Sequence, residues 1–77
     1  MTHKNFAEIR RSLRISQHQL GRRIGISQGL LSNFELGYTE LRPKQMAALE
    51  NALRLELAKA ARGAERMVQT LGTGVGA

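Results

Sequence analysis

QHQLGRRIGISQGLLSNFELG, residues 17–37, reads as two short helices joined by a tight turn. Leu20 and Ile24 share one side of the first helix, Gly25 supplies a residue that tolerates positive φ, and Ile26 drops an apolar side chain into the corner. Leu31 and Phe34 give the second helix a buried face. Gly21 has almost no side chain, so two helices can cross there at a range that a larger residue would prevent. Both helices also carry start signals. Ser16 is an N-cap with Gln19 three residues on, as in a capping box, and Ile15 can staple onto Leu20. Ser27 repeats the device, with Ile26 before it and Leu31 at the staple position. Two caps and two staples around one glycine turn describe a helix-turn-helix.

Upstream, Asn5 is a candidate cap for a first helix with Glu8 three residues on, and Phe6, Ile9 and Leu13 fall on one stripe that should pack against Leu20, Ile24 and Phe34. Downstream, Gly37 reads as a helix C-terminal glycine, Leu36 to Arg42 as a loop, and Pro43 as the first turn of another helix. Met46, Leu49, Leu53, Leu57, Ala60, Ala64, Met67 and Leu71 then recur at three- and four-residue spacing, close to a heptad rhythm. A small core has few faces left to cover. Leu55, Leu57, Ala60, Ala64, Met67, Val68 and Leu71 are therefore expected to form a dimer or partner surface, with completion of the monomer core as the competing use. Gly63 leaves open one bent helix or two over residues 43–71. The expected organisation is a core over residues 1–53, a helical extension over 54–71, and a flexible tail, GTGVGA, over 72–77.

Composition narrows the function. Twelve Lys and Arg against six Glu give a net charge of +6 over 77 residues, which favours a polyanionic partner. No cysteine is present, so disulfides and thiolate metal sites are excluded, and His3 and His18 have no second ligand at metal-binding spacing. Neither a metal nor a cofactor is expected. No apolar run reaches the length of a membrane span and no signal-peptide layout opens the chain, so a soluble cytoplasmic protein, nucleoid-associated when bound, is expected. Ser16, Ser27 and Ser32 lack a base and an oxyanion arrangement, and no strand leads into a phosphate loop, so an enzyme is not expected.

The second helix of the motif has the chemistry of a base-reading surface. At about 100° per residue, Leu30, Leu31 and Phe34 cluster on one side and Gln28, Gly29, Ser32 and Asn33 on the other. Gln and Asn carboxamides can donate to and accept from an adenine edge at once, and serine bonds either way. Gln28 and Asn33 are the leading base contacts, with Ser32 beside them and Gly29 allowing close approach. Candidates for backbone contact are Gln17 and Ser27 at the helix starts, Tyr38 and Thr39 in the loop, and Arg42 and Lys44 around the next helix start.

Residues 10–53, RRSLRISQHQLGRRIGISQGLLSNFELGYTELRPKQMAALENAL, resemble the helix-turn-helix domain of the lambdoid phage repressor and Cro family, also called the xenobiotic-response-element family. The resemblance is carried by Leu20, Gly21, Ile24-Gly25-Ile26, Ser27-Gln28, Leu31, Phe34-Glu35, Gly37 and Pro43. It implies an all-α, lambda-repressor-like bundle of about five helices that binds a double-stranded DNA operator as a homodimer. Controller proteins of restriction-modification systems are similar in size. The resemblance also implies that Arg10 and Glu35 form an internal ion pair and that Gln17 meets a phosphate. One expectation is thus a sequence-specific transcription regulator acting on a partly palindromic operator. The other follows from the absence of Lys and Arg in residues 27–36, from Glu40, and from Leu30 and Leu36: a module of this fold, antiactivator- or antitoxin-like, that binds a regulatory protein or toxin instead of DNA.

Overall fold

The computed structural model describes the backbone of residues 2–76 and the side chains of residues 2–70 as four helices: α1 (His3–Ser12), α2 (Gln17–Ile24), α3 (Gln28–Glu35) and α4 (Pro43–Gly76). No strand occurs among the described residues. The all-helical class agrees with expectation and the count of about five does not. Residues 54–62, RLELAKAAR, are strong helix formers, so α4 continues past the bundle without a break. Gly63 does not end it, because a helix-ending glycine adopts positive φ and, among the described residues, only the glycines Gly25 and Gly37 do so. The choice between one helix and two is therefore settled as one.

The backbone of α4 runs on through 72–76 and ends at Gly76. Missing periodicity reports that a segment has no packing face, whereas helix continuation needs only bonds to the preceding turn. Ala77 lies outside the described residues.

α1 begins earlier than expected. Thr2, not Asn5, is its N-cap: Thr2 Oγ1 accepts the Asn5 N–H at 3.3 Å, so Asn5 sits inside the first turn as the capped residue. Just beyond the C-cap Leu13 stands Arg14, whose φ of 58° is the left-handed value usually taken by glycine. Arg14 N–H donates to the Arg11 carbonyl at 3.0 Å and Ile15 N–H to the Arg10 carbonyl at 3.2 Å, which closes the last turn.

The core forms where the four helices meet. Leu20, Leu31 and Leu49 are fully buried, with Phe6, Ile26, Phe34, Leu41, Ala52 and Leu53 around them and Ile9, Leu13, Ile15, Ile24, Leu30 and Met46 packed at the edge. Each buried leucine contributes about 1.5–3 kcal/mol relative to exposure. Phe6 and Phe34 tie α1 to α3 with ring centres 5.7 Å apart and planes tilted by 54°. Leu53 is the last buried apolar residue of α4; from Arg54 to Thr70 every side chain is exposed except the half-buried Glu56. The outer half of the helix thus projects from the bundle, and the molecule measures 54 × 21 × 19 Å.

Candidate nucleic-acid interface

α2 and α3 are held at one crossing by local chemistry. Ser16 Oγ accepts the Gln19 N–H at 3.0 Å while Gln19 Oε1 accepts the Ser16 N–H at 2.9 Å, a complete capping box. Ser27 Oγ accepts the Leu30 N–H at 3.1 Å. Between the helices Gly25 has φ of 77°, and the N–H groups of Gly25 and Ile26 both converge on the Gly21 carbonyl. A methyl group on Gly21 would lie 2.7 Å from the Ile26 carbonyl oxygen, so the turn closes directly over this glycine. At the far end of α3, Gly37 (φ 81°) donates to the Phe34 carbonyl at 3.0 Å and Tyr38 donates to the Asn33 carbonyl at 2.9 Å. This paired closure aims the chain away from α3 into the loop that follows.

A polar network fixes the same helices from within. Arg10 Nε donates to Glu35 Oε2 at 2.6 Å and Nη2 to Oε1 at 2.9 Å, while Nη1 donates to the Ile15 carbonyl at 2.9 Å. Gln17 Nε2 adds a bond to Glu35 Oε1 at 2.9 Å. One carboxylate thus joins α1, the start of α2 and the last residue of α3. Burial by itself raises the Glu35 carboxyl, but hydrogen bonds from Arg10 and Gln17, with the charges of Arg10 and Arg11, outweigh it and hold the group below its ordinary range. No buried side-chain nitrogen or oxygen among the described residues lacks a hydrogen-bond partner.

On this frame the base-contact candidates line the outer side of α3. Gln28, Gly29 and Asn33 are exposed and Ser32 is half-buried, while Leu31, Phe34 and Glu35 face inward. Leu30 is half-buried against the core and offers less free apolar surface than its residue type suggests. Space around Gly29 is open: a methyl group there would have nothing within 4 Å. Ser27 is exposed, and its hydroxyl proton stays available for donation because the cap uses only its lone pair. Tyr38, Thr39, Arg42 and Lys44 are all exposed in the loop and at the start of α4, where Arg42 N–H is accepted by Gln45 Oε1 at 2.9 Å. Gln17 is half-buried at the start of α2 and its amide is committed in part to Glu35.

Two features had no sequence signal. The Gln17 bond to Glu35 spans 18 residues. Arg23 Nη1 donates to Glu56 Oε1, which also accepts from Lys59 Nζ at 3.4 Å, so Arg23 anchors α2 to α4. The Arg23 hydrogen bond is the main reason that the Glu56 carboxyl stands below its ordinary range.

The residues of the expected C-terminal surface lie apart from this face, on the projecting half of α4. Leu57, Ala60, Ala64, Met67 and Val68 are exposed there. Leu55 is exposed as well, about 160° around the helix from Leu57. The side chain of Leu71 lies outside the described residues.

Among the described residues no cluster of His, Asp or Glu could hold a metal, and no helix is long and apolar enough to cross a membrane. The helix-turn-helix family model matches residues 6–59, spanning α1 to α3 and the first half of α4. No curated protein and no solved structure matches the chain. With more than half of its length so matched, the chain belongs to the helix-turn-helix family of Cro/C1 type, a family of DNA-binding transcription regulators and not of enzymes.

Proposed function

We infer that the chain is a cytoplasmic, sequence-specific regulator of transcription that lays α3 in the major groove of a partly palindromic operator and acts as a homodimer. The observation that carries this reading is the outer face of α3: Gln28, Gly29 and Asn33 stand exposed, polar and uncharged, on a helix whose inner side is anchored by Leu31, Phe34 and Glu35. Carboxamides on a rigid helix suit base edges, and a face without Lys or Arg reads sequence without adding affinity for every duplex. Phosphate contact then falls to Gln17, Ser27, Tyr38, Thr39, Arg42 and Lys44, which flank α3 in sequence and are exposed or half-buried.

The test is a salt titration of the purified chain on DNA upstream of its own gene and its neighbours, with unrelated duplex as competitor. A site that survives physiological salt and competitor, with a two-fold symmetric footprint, is the expected result. Binding at low salt only and without preference would refute base reading.

One observation favours a second reading. Leu36 and Tyr38 are exposed at 58% and 77% beside the end of α3, next to the acidic Glu40. Such a patch suits a protein partner, a regulator or toxin, that would take the place of DNA on this face. A pull-down abolished by Leu36→Glu, with no operator found, would favour it.

A further inference from the structure

The dimeric reading above requires a surface between copies, and α4 carries two apolar features at separate positions along its length. The first is concave: a groove of about 300 Å³ between α1 and α4, lined by Phe6, Ile9, Leu53 and Leu57 and rimmed by Glu50 and Arg54. The second is an exposed apolar pair: Met67 and Val68, each 67% exposed on the projecting half of the same helix. About 18 Å of helix rise separates the middle of the groove from this apolar pair. At about 100° per residue, Leu53, Leu57, Ala60, Ala64 and Val68 stay within one apolar sector roughly 80° wide. The groove therefore opens on the side of α4 that the outer apolar residues also occupy.

We propose that the groove is filled by a second copy of this chain, the two α4 helices lying antiparallel so that Met67 and Val68 of each cover Phe6, Ile9, Leu53 and Leu57 of the other. The proposal rests on the dimeric reading. A helix that bears groove and filler at separate positions is self-complementary, so an antiparallel two-fold pair makes both contacts at once and closes. The register that sets Val68 over Leu53 brings Leu57 opposite Ala64, large against small. It also puts Ala60 and Ala61 at the crossing, where small side chains permit close approach. A two-fold antiparallel pair brings like edges of the helices together. That edge carries Arg54 beside the groove and Glu65 near the filler, so opposite charges meet twice. A parallel pair would set Met67 against Met67 and leave both grooves empty.

The chain has no cysteine, so introduced thiols report geometry directly. On oxidation, a mixture of Leu57→Cys and Ala64→Cys chains should give a disulfide-linked heterodimer. Each variant alone should stay unlinked, because seven residues of rise, about 10 Å, separate like positions in the antiparallel register, beyond the ~7 Å Cα limit of a disulfide. Self-linking of either variant would indicate a parallel pair and overturn the proposal. The exposed pair Met67→Glu and Val68→Glu, together, should raise the dimer dissociation constant about tenfold or more in sedimentation. An unchanged constant would overturn it too. Failure to cross-link with a symmetric operator footprint retained would refute this docking and leave the dimeric reading standing; a one-sided footprint would remove both.

Discussion

Arg10 and Glu35, 25 residues apart, meet in a two-pronged buried ion pair, with Nε to Oε2 at 2.6 Å and Nη2 to Oε1 at 2.9 Å. Because Glu35 closes α3 and Arg10 also holds the Ile15 carbonyl, the pair sets the pitch of α3 against α1 and the start of α2.

Removing one partner strands the other charge in a site from which water is largely excluded. Arg10→Ala should therefore lower stability by about 3–5 kcal/mol, while Arg10→Met combined with Glu35→Leu should cost much less. Urea unfolding followed by circular dichroism checks this. Additive single and double losses would mean that the two side chains are not coupled.

The same carboxylate makes stability depend on pH. Its folded-state pKa lies below the ordinary 4.5, so between the two values the unfolded chain binds the extra proton and stability rises with pH. The contribution is complete above 4.5 and is lost as the pH falls through the lower, folded value. The urea midpoint should thus decline on acidification below that point, and Glu35→Gln should flatten the decline. Glu56 shifts in the same direction but is solvent-facing, so Glu56→Gln should alter the slope little at moderate salt.

Gly21 and Gly29, both within helices, should respond oppositely to alanine. At Gly21 the new methyl meets the Ile26 carbonyl at 2.7 Å, and the backbone of the turn must move; a loss of about 1–3 kcal/mol is expected. At Gly29 the methyl meets nothing, and relief of glycine's unfolded-state entropy should add about 0.5–1 kcal/mol. Thermal unfolding of the two variants side by side measures the difference. Equal shifts would deny the close approach at the turn.

Base and phosphate contacts separate by their salt and sequence response. Gln28→Ala should cost about 1–3 kcal/mol on the preferred site and relax preference at one base position. Arg42→Gln and Lys44→Gln should weaken binding to all duplexes and reduce the salt slope by roughly one each. Titrations on the operator and on scrambled duplex distinguish these outcomes; a uniform loss from Gln28→Ala would place that side chain on the backbone instead.

The motif was legible because its constraints are local. Ser16, Gln19, Ser27, Gly25 and Gly37 each act within a few residues, and their caps and turns are written in residue types. Less local facts were not. Thr2 outcompeted Asn5 as a cap, a choice between neighbours that residue type leaves nearly even. Arg14, just beyond the C-cap of α1, takes a backbone state that glycine usually advertises, so no signal marked it. The Gln17 and Arg23 partners depend on how helices cross, which periodicity does not encode. The face of α3 was read from period alone, and Ser32 proved more covered than that period implies.

α4 runs unbroken from Pro43 through the buried Leu49 and Leu53 to its projecting end. Residue count along such a rod acts as a phase. One inserted residue after Leu53 would swing every outer side chain about 100° around the axis while advancing it only about 1.5 Å. A loop absorbs insertions of any length; this segment tolerates them only near whole multiples of its apolar repeat. Length variation among related chains should therefore fall in the 36–42 loop and beyond the last apolar turn, and change the span between Leu53 and Val68 only in steps of about seven.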